Sequence, residues 1–253
     1  MKSQRLLAME KYIMEHGAAS MEELKDHFDV SMNTVRRDVN DLIKGGSVRK
    51  VYGGVRSQTT EPALVPYEVR STGDSQTKKL IARFAAEFVH EGDVIFIDSG
   101  TTTLYLMDYL KEFHDLTVIT NNIEVIIKAL ENDRIRLIAL PGQLRHKTRS
   151  VTGEATVSFL SRYNIRTAFM AATGVSALGV TNSSPQEYEI KRKAVENSEN
   201  RVLMVAGRKF GVTSLMTYAE LNQFDAVVTD ETIPQNYVDM MEQNHVNLIV
   251  AKE

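Results

Sequence analysis

Two short stretches of this 253-residue chain carry residue types suited to specific chemistry. The first is Asn33-Thr34-Val35-Arg36-Arg37-Asp38-Val39. Asparagine and arginine can read adenine and guanine edges through paired hydrogen bonds. Threonine contacts a base or a thymine methyl, and arginine and lysine bind phosphate. The second is Asp98-Ser99-Gly100-Thr101-Thr102-Thr103, directly after the apolar run Val94-Ile95-Phe96-Ile97. At a strand-to-helix turn such residues offer backbone N–H groups and hydroxyls to an anion, with a helix dipole behind them. No Gly-Lys-Ser/Thr follows, so this is not a P-loop, and a capped turn without a ligand suits the same residues.

The elements around the first stretch place it on a helix. Ser31 is a good N-cap, and Gly45-Gly46 closes the segment. Val35, Val39, Leu42 and Ile43 recur at helical spacing and form one apolar stripe, which leaves Asn33, Thr34, Arg36, Arg37 and Lys44 facing outward. Upstream, Gln4 to His16 reads as a helix ended by Gly17. Ser20-Met21-Glu22-Glu23 is a capping box opening a second helix through Leu24 to Phe28, and Asp29-Val30 is a tight turn. Two short helices joined this way form a helix-turn-helix, whose second helix lies in the major groove. Downstream, Ser47 to Arg56 reads as two short strands around Gly53-Gly54, a wing that carries Arg49, Lys50 and Arg56 toward phosphates or a minor groove. The expected DNA-contacting set is Ser31, Asn33, Thr34, Arg36, Arg37, Arg49, Lys50, Tyr52 and Gly53.

Composition bounds the alternatives. Hydrophobic residues are 43% and charged residues 25% of the chain, as in soluble globular proteins, and the net charge is −3. The basic surplus is local: residues 31 to 56 hold six Lys/Arg against two Asp/Glu. That suits a sequence reader better than a general nucleic-acid glue. Cysteine is absent, which excludes disulfides and thiolate chemistry, and His16, His27, His90, His114, His146 and His245 show no metal spacing. No metal or other cofactor is expected. The first helix is charged rather than signal-like, and no apolar run approaches the roughly 20 residues of a membrane span, so a cytoplasmic protein without membrane contact is expected.

Ser57 to Pro66 is polar and then proline-bearing. It divides the chain into a head (1–57), a linker (58–75) and a body (76–253). After an amphipathic helix over 76–90, apolar runs at 94–97, 116–119, 137–140, 168–172, 202–206, 226–229 and 246–250 alternate with helical stretches at about 104–111, 123–131, 154–162, 186–197 and 234–244. This alternation predicts an α/β body with a mostly parallel sheet buried on both faces, whose ligands bind beyond the carboxyl ends of the strands. The loops at those ends carry Asp98 to Thr103, Thr120-Asn121, the basic run Arg145-His146-Lys147-Thr148-Arg149, Thr173-Gly174, and Arg208-Lys209. Glu187 and Lys191 sit four apart on a helix, a spacing that also suits a surface ion pair.

The head motifs at Ser20 to Phe28, Thr34-Val35-Arg36-Arg37-Asp38 and Tyr52-Gly53-Gly54 resemble the DeoR family of bacterial sugar-responsive repressors. So do Asp98-Ser99-Gly100-Thr101-Thr102, Thr120-Asn121, Gly153, Thr173-Gly174, Glu187 with Lys191, and Lys209-Phe210-Gly211. The resemblance spans nearly the whole chain. It implies a sensor domain similar to ribose-5-phosphate isomerase, a phosphorylated sugar or sugar-acid effector, and homodimers or homotetramers on double-stranded operator DNA. Lys147-Thr148-Arg149-Ser150 and Glu187-Tyr188-Glu189-Ile190-Lys191 are closest to repressors of myo-inositol catabolism, which implies a six-carbon keto-acid phosphate. Two departures stand out. Pro141-Gly142 replaces the family's usual Gly-Gly, and Ala206-Gly207-Arg208 replaces an acid and a serine ahead of Lys209. The expected effector set is Asp98 for a hydroxyl, Ser99, Gly100, Thr101 and Thr102 for phosphate, then Asn121, Arg145, Lys147, Arg149, Thr173, Gly174, Glu187 and Lys209. The chain is expected not to be an enzyme. The rival readings are a sugar-phosphate isomerase with a DNA-binding appendage, using Asp98, Glu187 or Lys209 as base, and a constitutive architectural DNA binder.

Overall fold

The computed structural model describes residues 2–57, 64–230 and 233–252. The head comprises α1 (Lys2–His16), β1 (Ala18–Ser20), α2 (Met21–His27), α3 (Met32–Lys44), β2 (Val48–Val51) and β3 (Gly54–Ser57). Both predicted caps form. The Ser20 hydroxyl accepts from Glu23 N–H at 3.0 Å while the Glu23 carboxylate accepts from Ser20 N–H at 3.0 Å. The Ser31 hydroxyl accepts from Thr34 N–H at 3.2 Å. Capping of this kind stabilises a helix end by about 1 kcal/mol. The apolar stripe of α3 (Val35, Val39, Leu42) packs with Leu6, Met9 and Ile13 of α1 and Leu24 of α2. The wing gains a third strand that its sequence pattern does not announce, with order β1-β3-β2. Gly54 makes this possible, because a Cβ there would lie 2.2 Å from the Ala19 carbonyl oxygen. Asp38 turns into the head, where it is fully buried and accepts from Arg5 Nε at 2.7 Å.

The body contains α4 (Tyr67–Thr72), α5 (Ser75–Ala85), β4 (Val94–Ile97), β5 (Leu116–Thr120), α6 (Ile123–Ala129), β6 (Ile135–Ala139), β7 (Gln143–Arg145), β8 (Ser150–Thr152), α7 (Glu154–Leu160), β9 (Ile165–Met170), β10 (Gly174–Ser176), β11 (Gly179–Asn182), α8 (Pro185–Glu196), β12 (Ser198–Met204), β13 (Met216–Ala219), β14 (Ala226–Thr229), α9 (Gln235–Gln243) and β15 (Asn247–Val250). Seven strands form one parallel sheet in the order β15-β14-β12-β9-β4-β5-β6. Neighbouring residues of one strand feed opposite cores. Phe96, Met170, Leu203 and Val227 belong to one core, whereas Ile95, Ile97, Phe169, Val202, Met204 and Val228 belong to the other. Two-sided burial explains why these strands read as continuous apolar runs.

Several boundaries differ from the sequence expectation. β6 and β9 begin earlier than their apolar runs, because Arg136, Arg166 and Thr167 occupy strand positions ahead of them. β9 also stops at Met170, since the Ala171 N–H is taken by a side chain described below. The segment after Thr102 is a 3₁₀ helix, Thr103–Tyr109, with the Thr103 hydroxyl bonded to the Asp98 and Gly100 carbonyls at 2.7 and 3.0 Å. The basic run 145–149 folds back within a hairpin, β7–β8. A second antiparallel sheet, β10-β11-β13, was not expected.

Of the expected linker, 58–63 lies outside the described residues, and its remainder is not a tether. It holds α4, whose Tyr67 is buried beneath the Arg70 and Arg149 guanidiniums, and the Tyr67 N–H donates to the Lys147 carbonyl at 2.9 Å. Among the described residues, no helix is long and apolar enough to cross a membrane.

From β4 the sheet grows in one direction through β5 and β6, and from β9 in the other through β12, β14 and β15. The β4/β9 pair is therefore the topological switch point, where a crevice opens at the carboxyl ends of the strands.

The buried Asp38–Arg5 bond fixes α3 against α1. Asp38→Ala should lower the stability of the head by about 2 kcal/mol, the usual cost of losing a hydrogen bond to a charged group. Arg5→Ala should cost at least as much, because it leaves the buried Asp38 carboxylate without its cation, and chemical denaturation of both single variants and the double variant should show coupling between the two sites.

Candidate functional site

The head presents its expected contact residues on open surface. Asn33, Arg36 and Arg37 are exposed on α3, Arg49 and Lys50 on β2, and Tyr52 and Gly53 at the wing tip, where Tyr52 is fully exposed. Ser31 is exposed at the helix start, and its hydroxyl meets that of the part-buried Thr34 at 2.9 Å.

In the body, a cavity of about 320 Å³ opens at the switch point. Its floor is the loops leaving β4, β9 and β12, represented by Ser99 to Thr102, Ala171 to Thr173, and Ala206 with Lys209. Its wall includes Thr148, Asn182, Ser183, Glu187 and Lys191. Its roof is the segment from Leu64 to Lys78, through Val69, Arg70 and Asp74.

One polar network fixes this floor. Asp98 is fully buried. One carboxylate oxygen accepts from Ser99 N–H at 2.8 Å. The other accepts from Ala171 N–H at 2.9 Å and from Lys191 Nζ. Lys191 also donates to the Ala171 carbonyl at 3.1 Å, as does the Tyr218 hydroxyl at 3.0 Å. Glu187 Oε1 accepts from Ser99 Oγ at 2.8 Å and Ser150 Oγ at 2.7 Å, and Asn182 Nδ2 donates to Oε2 at 3.3 Å. Glu187 and Lys191 are therefore no surface ion pair. Both are buried, and each serves a different carboxylate or hydroxyl cluster.

The cavity gathers part of the expected set and leaves part of it elsewhere. Ser99, Gly100, Thr101, Thr102, Thr173, Glu187 and Lys209 line it. Asp98, expected to meet a ligand hydroxyl, stands behind the wall with its acceptors already occupied. Asn121 is fully buried and donates to the Val151 carbonyl at 3.1 Å, which holds β8 in place. Gly174 begins β10 outside the lining. The three cations of the basic run are also outside, although Thr148 between them lines the wall. Arg145 donates to the Thr152 hydroxyl at 3.0 Å, Lys147 is exposed, and Arg149 is neutralised by Glu68 at 3.0 Å and Glu124 at 2.5 Å. The hairpin turns Thr148 and Ser150 toward the cavity and Glu187, while Arg149 turns to Glu68 and Glu124.

Sequence reasoning missed Arg70 and Lys78, because the first lay in the expected linker and the second on a helix assigned only to packing. The available signal was Lys78 itself, a buried cation within α5.

Five cations line the cavity (Arg70, Lys78, Lys191, Arg208, Lys209) against two carboxylates, Asp74 and Glu187, with Asp98 directly behind Lys191. With Lys209 protonated, five against three leaves a surplus of two positive charges. Arg208 approaches Asp74 at 3.7 Å, whereas the Lys209 ammonium donates to the Ala172 carbonyl at 2.6 Å. Burial pushes the Lys209 pKa down to about 7, and Arg208, Arg70, Lys78 and Lys191 push the same way. Lys78 is lowered chiefly by burial and then by Arg208, with Asp74 opposing. An enclosed cluster of mutually repelling cations beside hydroxyls is a site for an anion.

Comparison with known proteins places these features. Residues 5–61 match a family model described as the DeoR-like helix-turn-helix domain, and residues 74–231 match the DeoR C terminal sensor domain. The HTH-type transcriptional regulator IolR of Bacillus subtilis is 39% identical over 252 residues, covering 99% of this chain and 100% of that protein. The glycerol-3-phosphate regulon repressor of Escherichia coli is 29% identical, covering 98% of both. Among solved structures, a D-ribose-5-phosphate isomerase in complex with phospho-erythronic acid aligns with a TM-score of 0.41 at 17% identity, covering 67% of this chain and 65% of that one.

The Lys209 environment gives a pH signature. The unfolded chain keeps this proton to about 10.5 and the fold releases it near 7, so Lys209 makes stability rise with pH between those values. A bound anion favours the charged amine. Sulfate binding should therefore take up a proton at pH 8 and weaken as pH rises from 7 to 9, with calorimetry in buffers of different ionisation enthalpy as the readout. Lys209→Met should abolish both effects.

Proposed function

The chain belongs to the DeoR family of transcriptional regulators, and from that premise we propose that it represses a carbohydrate-catabolism operon and leaves operator DNA when a phosphorylated sugar or sugar acid fills the body cavity. The observation that carries this reading is the surplus of two positive charges in an enclosed pocket of sugar-phosphate size. A phosphate monoester near pH 7 carries close to two negative charges. Thr101, Thr102 and the Gly100 backbone, with Lys209, receive the phosphate. Glu187 and Thr173 face the carbon chain and its hydroxyls, while Asp98 and Lys191 hold the floor in shape. The name of one relative points to a phosphate-ester regulon, which supports the same ligand class.

In the head, Asn33, Thr34, Arg36 and Arg37 read the major groove. Arg49, Lys50 and Tyr52 lie on phosphate or in the minor groove, and Ser31 and Gly53 set the backbone at the two ends of this surface. A homodimer or homotetramer places two heads on successive half-sites, in a cytoplasmic setting. The effector acts by binding more tightly to the arrangement in which the heads no longer match those half-sites. The family matches cover a DNA-binding and a sensor domain, and the relatives are named regulators, so the chain is a regulator and not an enzyme.

A thermal-shift screen of phosphorylated sugars and sugar acids tests the pocket. A true ligand raises the unfolding midpoint by mass action, and Thr102→Glu, which adds a like charge, should abolish the shift. A hit that survives in that variant argues for another site. Arg37→Ala should weaken operator binding by about 1–3 kcal/mol, roughly tenfold or more, with the thermal shift unchanged.

A further inference from the structure

The ligand cavity and the recognition helix share one loop. We infer that effector occupancy reaches the DNA-reading head through the turn from Gly207 to Gly211, whose last residue seats against the C-terminal cap of α3. This rests on the proposed effector pocket and adds the route by which it is read.

The turn is short and internally bonded. Lys209 N–H donates to the Ala206 carbonyl at 2.9 Å and Phe210 N–H to the Gly207 carbonyl at 3.0 Å, while Gly207 N–H is held by Asp230 at 2.8 Å. Lys209 lines the cavity. Two residues on, Gly211 has φ +79°, and its N–H donates to the Val175 carbonyl at 2.8 Å. A Cβ at Gly211 would lie 2.4 Å from the Gly45 carbonyl oxygen and 3.3 Å from Ser47 N. Gly45 caps α3, and Ser47 leads into β2 of the wing. The contact is therefore backbone against backbone, with no flexible side chain to absorb a shift.

A second contact follows from the same loop. Phe210 packs edge-on against Tyr237 of α9, with ring centroids 5.2 Å apart. The Tyr237 hydroxyl donates to Glu10 of α1 at 2.8 Å. Glu10 is fully buried, and burial pushes its pKa up to about 7 against the opposing Tyr237 and Ser47 hydroxyls. Thr213, two residues beyond Gly211, reaches Met14 Sδ of α1 at 3.4 Å. Both α1 and α3 thus bear on one stretch of the body. Asn33, Arg36 and Arg37 of α3 and Arg49, Lys50 and Tyr52 of the wing remain exposed, so the docked head is free to meet DNA.

An anion entering the cavity draws in Lys209, which its cationic neighbours repel when the site is empty. Packed seams respond to such displacements by switching arrangement rather than deforming smoothly. The seam then re-angles α3 and the wing together, which changes the spacing between paired heads.

The test uses the full chain and a duplex obtained by in vitro selection. Duplex affinity is measured in inorganic phosphate and in sodium chloride of equal ionic strength, since DNA binding is itself salt-dependent. Phosphate binding is followed separately by calorimetry. In the wild type, phosphate should weaken the duplex complex roughly fivefold or more, within the usual range of allosteric coupling. Gly211→Ala should cut that response to less than about twofold while phosphate still binds, if coupling of ordinary size runs through this contact. The double variant Glu10→Gln, Tyr237→Phe should do the same without the backbone strain, and it decides the matter if Gly211→Ala does not fold. Phosphate binding with a full DNA response in both variants overturns the route. Binding without any DNA response in the wild type overturns transmission itself. No phosphate binding at all overturns the pocket reading and this inference with it.

Discussion

The contact on which the body depends is the buried pair of Asp98 and Lys191. Asp98 leaves the end of β4 and accepts from the first N–H after β9, while Lys191 reaches from α8 to both Asp98 and the Ala171 carbonyl. Three elements are thereby joined at the one place where the parallel sheet reverses its order. Neither charge is tolerable there alone. Removing one partner from such a pair costs about 3–5 kcal/mol, whereas the pair itself adds little net stability. Its contribution is positional: it holds two loop starts apart at a fixed width, and the cavity is the space between them.

The other charges follow from that arrangement. Glu187 is held by neutral donors from three separate segments, Ser99 after β4, Ser150 of β8 and Asn182 of β11, so it keeps its acceptor character without cancelling a cation. Asp98 is committed to Lys191 and Asp74 faces Arg208. Arg70, Lys78 and Lys209 donate to backbone carbonyls, and Arg70 also lies over the Tyr67 ring. The fold accepts this repulsion at a concave site and places it one short turn from the head.

Sequence reasoning was strongest wherever the determinant was local. The Ser20–Glu23 capping box, the Ser31 cap and the apolar stripe of α3 involve partners three or four residues apart, and all appear as expected. The parallel strands were legible because the central ones are buried on both faces and the edge strands keep short apolar runs. The errors came where partners are distant in sequence. Arg145, Lys147 and Arg149 follow a strand and carry charge, as the pocket cations do, but nothing local reveals that Arg149 will turn to the distant Glu68 and Glu124 while Thr148 turns to the cavity. Arg70 was unreadable for the converse reason: an irregular, proline-bearing stretch gives no sign that it will roof a cavity.

What the sequence by itself determined is the identity of the parts: a winged helix-turn-helix with a local basic surface, and a body of alternating strands and helices whose strand ends carry hydroxyls and cations. Side-chain periodicity, capping and local charge are short-range properties, and a single stretch of chain specifies them. Only the tertiary structure decided which strand ends meet, that Asp98 pairs with Lys191, and that the Lys209 loop touches the cap of α3. Strand order, and contacts spanning more than ninety residues as between Asp98 and Lys191 or more than a hundred and sixty as between Gly45 and Gly211, depend on how the whole core closes. No local pattern encodes that closure.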